Sequence, residues 1–102
     1  PGYDQPKLKA EWLAAHAADY GFFHPYDQDR GGVQPEPWHL SFAPVAGPAL
    51  AALSVELLAE ALAGAELAGR EALEARLPEL HRRYVSAVAA PPAAALAVAA
   101  IP

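Results

Sequence analysis

The chain has 102 residues, a net charge of −5 and 54% apolar residues, but 26 of the apolar residues are alanine, which leaves about 29 side chains able to fill a core. A chain of this length buries only ~60 to 65% of its unfolded surface, so its core is expected to be thin and to need a partner segment. The absence of Cys excludes disulfides, thiolate metal sites and cysteine nucleophiles, and seven Lys and Arg spread along an acidic chain give no footprint for nucleic acid.

Eight of the nine aromatics and three of the four His fall within residues 1–42, so any chemistry is expected in that part. Pro6 fits the first turn of a helix over residues 6–20, with Leu8, Trp12, Ala15 and Tyr20 on one face and Gly21 as a left-handed terminator. Phe22, Phe23 and His24 form a short extended run ended by Pro25, and residues 26–34 have the Asp, Gln, Arg and Gly content of a surface loop. Alternation over Trp38–Phe42 predicts a second strand, with Trp38, Leu40 and Phe42 on one face. Two strands alone are not stable in water, so the antiparallel pair implies further strands from elsewhere.

From Pro48 the period becomes helical. Leu50, Leu53, Leu57, Leu58, Ala61 and Leu62 share a stripe that Gly64 ends. Leu73, Leu77, Leu80, Tyr84 and Val88 form a second stripe, supported by Glu66 with Arg70 and Glu79 with Arg83, and Pro78 is expected to break it near Leu77. The fold class is therefore α+β: a small antiparallel sheet with a covering helix, followed by a helical hairpin. The expected organisation is a core at 1–44, a helical scaffold at 45–88 and a Pro/Ala-rich tail at 89–102. No run of 18 apolar residues suggests a membrane span, and no signal peptide is visible. The first residue is Pro and Met is absent, so the sequence reads as a piece of something longer.

Pro35-Glu36-Pro37-Trp38-His39 carries the chemistry. Two prolines favour an extended polyproline conformation with about three residues per turn, which puts Glu36 and His39 on one side. Trp38 points elsewhere and is expected to be a buried anchor, its burial contributing ~3 to 5 kcal/mol. A neutral imidazole can bind a metal while a free carboxylate takes a proton from a metal-polarised water, the arrangement of metal-assisted hydrolysis. The spacing alone fits equally a surface Glu beside a half-buried His with no ligand.

The linked series over Trp12–Pro44, a helix ending in Tyr20-Gly21-Phe22, then a loop, then Glu36-Pro37-Trp38-His39 and a closing strand, resembles the C-terminal half of the M15 peptidases. These are the zinc-dependent D-alanyl-D-alanine carboxypeptidases and dipeptidases. The resemblance implies Glu36 as general base, His39 as one protein ligand of a catalytic Zn2+, peptidoglycan stem peptides as substrates, and a periplasmic or cell-envelope location. It also exposes a gap. The family takes its other His and Asp ligands from an upstream S-x-H-x-x-G-x-x-x-D motif, and nothing before Trp12 matches it, so an upstream part of the same protein is implied as a partner.

Local replacements for the missing ligands are His24 on the neighbouring strand, and Asp27 and Asp29 in the loop. A calcium loop is a poor fit for Asp27–Trp38, because its twelfth position is Trp38 instead of a bidentate carboxylate. Arg30 presents a fork that could meet a substrate carboxylate. His16 is expected to be packed or exposed on its helix, and His81 solvated beside Arg82 and Arg83. Three classes compete: a metallopeptidase, a catalytically silent module that binds peptidoglycan peptides, and a helical interaction domain.

Overall fold

The structure, a computed structural model, describes residues 5–98. Helix α1, Gln5–His16, runs into a 3-10 turn, Ala17–Tyr20, and stops where Gly21 takes φ +87°. Any side chain at Gly21 would also meet the Phe42 ring at 2.6 Å, so position and conformation both require glycine. Strand β1, Phe22–Phe23, pairs antiparallel with β2, Ser41–Phe42, in the register Phe22 to Phe42 and Phe23 to Ser41. The Ala43 amide donates to the Gly21 carbonyl at 2.7 Å, extending the ladder by one bond.

The second strand is shorter than the alternation predicts. It begins at Ser41 because Trp38 lies in a turn, closed by the His39 amide donating to the Glu36 carbonyl at 3.1 Å. Pro37 occupies the second position of that turn, where its fixed φ is favoured. A four-residue turn thus replaces the polyproline segment.

The fold is α+β, as expected, but its helical region is more divided than a hairpin. Helix α2, Ala43–Ala52, follows β2 directly and includes Pro48; α3, Val55–Ala63, begins after Ser54, whose Oγ accepts the Leu57 amide. Gly64 ends α3. Helix α4, Arg70–Ala75, and α5, Leu77–His81, are separated at Arg76 with Pro78 in the first turn of α5, the break that this proline imposes. A π-turn, Arg82–Ser86, continues α5. Arg83 meets Glu79 at 3.5 Å, whereas Arg70 pairs forward with Glu74 instead of back with Glu66.

Residues 89–98 do not trail away. A short helix α6, Ala93–Leu96, inserts Ala95 with no exposed surface against Phe23 and Ala43. Alanine at this point lets two helices and a strand approach closely, which is why a segment with no charge and no period still packs. The last four residues of the expected tail lie outside the described residues.

Composition set the scale of the core. Among the described residues, the buried apolar ones are Ala17, Phe23, Ala43, Leu77, Ala89 and Ala95. The radius of gyration is 16.9 Å, against ~13 Å for a compact chain of this length. No single helix among the described residues is long and apolar enough to cross a membrane.

Packing of α6 is directly testable. Ala95→Leu should destabilise the protein by about 1 to 3 kcal/mol through overpacking, while Leu at the neighbouring exposed Ala94 should stay within about 0.5 kcal/mol of wild type. Chemical unfolding of both variants distinguishes a packed helix from a loose end, for which the two substitutions would behave alike.

Candidate functional site

Glu36 and His39 come together at the mouth of the turn. The Glu36 carboxylate lies 3.6 Å from His39 Nδ1, near enough for charge interaction and too far for a hydrogen bond. Both side chains are partly open to solvent, His39 at 41% and Glu36 at 28%, so both are accessible to a ligand. The spacing therefore converges as the sequence suggests, through a turn bond in place of a shared polyproline face.

Tyr26 builds the floor under this pair. Its carbonyl accepts the Glu36 amide at 2.9 Å, and its ring meets the His39 imidazole edge-on at 4.8 Å between centroids. The sequence places Tyr26 in the surface loop; its position after Pro25, within the aromatic-rich part of the chain, is the signal that links it to the site. His24 lines a hollow of about 400 Å³ together with Tyr26, Asp27, Pro35 and Pro37.

Trp38 corrects one expectation. It is 76% exposed, because it occupies the third position of the turn and projects from it, so within these residues it anchors nothing. Trp12 and Tyr20, stacked at 6.0 Å between centroids, are also largely exposed at 51% and 60%. His81 corrects another. It is part-buried, with Nε2 at 2.7 Å from the Leu53 carbonyl and Nδ1 at 3.2 Å from Ser86 Oγ. The ring thus joins the end of α2 to the π-turn. His16 sits on the surface near Asp19, as expected, at 3.6 Å.

Arg30 is held by its own loop. Its guanidinium makes two parallel bonds to Asp27, Nε to Oδ1 at 2.9 Å and Nη2 to Oδ2 at 3.0 Å. The Arg30 bond holds the Asp27 carboxyl below the usual carboxylate range, and the same pairing raises Arg30. Meeting a substrate carboxylate would require Asp27 to release the fork. The Asp29 carboxylate accepts the Gly31 amide at 2.8 Å, a turn-forming contact.

A catalytic zinc wants three protein ligands and an open position. Among the described residues no group of three His, Asp or Glu side chains is placed to hold a metal ion. His39 and Glu36 supply one candidate ligand and one free carboxylate, which does not fit a complete zinc site. His24, Asp27 and Asp29 do not make up the number.

A helix leads through Tyr20-Gly21-Phe22 and a loop to a turn that presents a carboxylate and an imidazole. Residues 4–45, less than half of the chain, match the family model VanY, described as D-alanyl-D-alanine carboxypeptidase, and this part of the chain is similar to that family. Comparison with curated proteins and with solved structures gives no match.

Two measurements check this geometry. Asp27 should titrate below its ordinary value of 3.8 and rise in Arg30→Ala, read by carboxyl carbon chemical shifts. Because the folded value is depressed, whatever the pair contributes to the loop is present above the ordinary value and is lost as pH falls through the folded one. Trp38→Ala should change stability by less than about 0.5 kcal/mol, where a buried anchor would cost ~3 to 5 kcal/mol.

Proposed function

We propose that the protein hydrolyses D-Ala-D-Ala-type peptide bonds of bacterial cell-wall stem peptides at the cell envelope. The observation that carries the reading is the convergence of Glu36 and His39 on one accessible turn within the segment that matches the VanY model. In hydrolysis a water oxygen adds to the scissile carbonyl, the C–N bond breaks, and a proton must pass from the water to the departing amine. Glu36 is the residue for that transfer: its carboxylate is accessible and fixed through its own amide to Tyr26, and it can hold the proton at Oε between the two steps. His39 is oriented by the Tyr26 edge and the turn bond, so its ring presents a defined face.

Zn2+ is the cofactor this reading requires, with His39 as one ligand and two further ligands on an upstream segment of the parent protein. The incomplete set among the described residues gives the competing reading its substance, a module that binds stem peptides without cleaving them.

Zinc content and hydrolysis of the D-Ala-D-Ala dipeptide, measured together on the full-length protein, separate the two. Glu36→Gln should retain zinc and lose on the order of 10² to 10⁴ in rate. His39→Ala should lose zinc and activity together. Undiminished turnover in Glu36→Gln removes the general-base role, and full zinc with full hydrolysis in His39→Ala removes the peptidase assignment of this turn. A wild-type protein that binds the peptide and never cleaves it establishes the binding module.

A further inference from the structure

We propose that residues 82–89 form a strap that fixes the loop of residues 26–34 and, through it, the relative placement of Glu36 and His39, with Arg83 as a positioning residue. The proposal rests on the peptidase roles given above to Glu36 and His39.

Three ties join the strap to the loop. Arg83 Nε donates to the Gly31 carbonyl at 2.6 Å across 52 residues of chain. Next to it the two backbones touch: a Cβ at Gly32 would run into the Arg83 carbonyl oxygen, so only glycine permits the approach. At the loop entrance the Ala89 amide donates to the Pro25 carbonyl at 2.9 Å. These ties hold the loop at its start and near its tip.

Arg83 is itself oriented. Its guanidinium lies 3.5 Å from a Glu79 oxygen and 5.2 Å above the Tyr84 ring. Tyr26 follows Pro25 and is the residue through which a loop displacement reaches the site, because its carbonyl holds the Glu36 amide and its ring meets His39. Exposed salt bridges alone fix little; here the guanidinium bond coincides with a backbone contact and a backbone hydrogen bond on the same segment.

The test uses the full-length protein with Arg83→Met, Arg83→Lys, Gly32→Ala and, as control, Arg82→Gln. It reads amide exchange at Glu36, the imidazole resonances of His39, and kcat and KM for the D-Ala-D-Ala dipeptide. Arg83→Met and Gly32→Ala should each speed Glu36 exchange about tenfold and move the His39 resonances. They should lower kcat by roughly ten- to a hundredfold with KM within about twofold. Arg83→Lys keeps a donor and should recover most of kcat, and Arg82→Gln should behave as wild type. Unchanged exchange and unmoved His39 resonances in both Arg83→Met and Gly32→Ala overturn the strap, whatever the activity. A loosened loop with undiminished kcat overturns the positioning role. If wild type does not hydrolyse the dipeptide while both variants loosen Glu36 and shift His39, the strap stands and the peptidase reading alone falls.

Discussion

The packing of the Phe23 ring against Ala43 and Ala95 is the contact on which the arrangement depends. It joins β1, the first residue of α2 and the C-terminal α6, three parts of the chain far apart in sequence. Each alanine adds little transfer free energy, yet its small side chain lets backbone approach backbone around the one large ring. Phe23 lies between Gly21, which turns the chain out of the helical segment, and Pro25, where the site loop begins. Whatever fixes the ring therefore fixes the point from which the loop departs.

Local rules explain most of what the sequence disclosed. Pro6, Gly21, Gly64 and Pro78 each act on their own turn of chain, so helix entry, two stops and one break could be placed from residue identity alone. The strand pair followed from alternation, but its length did not, because the bond between His39 and Glu36 competes with extension and Pro37 favours it. The insertion of α6 was illegible for a different reason: an alanine-rich segment gives no period, and its burial is decided by the ring it meets.

The candidate site divides in the same way. Glu36 and His39 are recognisable three residues apart, since their convergence needs only local backbone. Tyr26 is bound to them across a loop, and Arg83 reaches Gly31 from a helix near the other end of the chain. Neither relation leaves a spacing signature. His81 shows the same limit, because its partner Leu53 lies at the end of another helix and its neighbours Arg82 and Arg83 suggest only solvent. The thin core, by contrast, was legible in composition, as alanine makes up nearly half of the apolar residues.

The π-turn at Arg82–Ser86 has a consequence for how this part of the gene can change in length. Its closing bond, Ala87 amide to Arg82 carbonyl at 3.0 Å, spans one residue more than an α-helical bond. This wider turn lies between Arg83, tied to Gly31, and Ala89, tied to Pro25, so removing a single codon from the interval would put one tie out of register with the other. Insertions are tolerable in the segment after Gly64, where the chain merely connects two helices, but the stretch between Arg82 and Ala89 behaves as a counted interval.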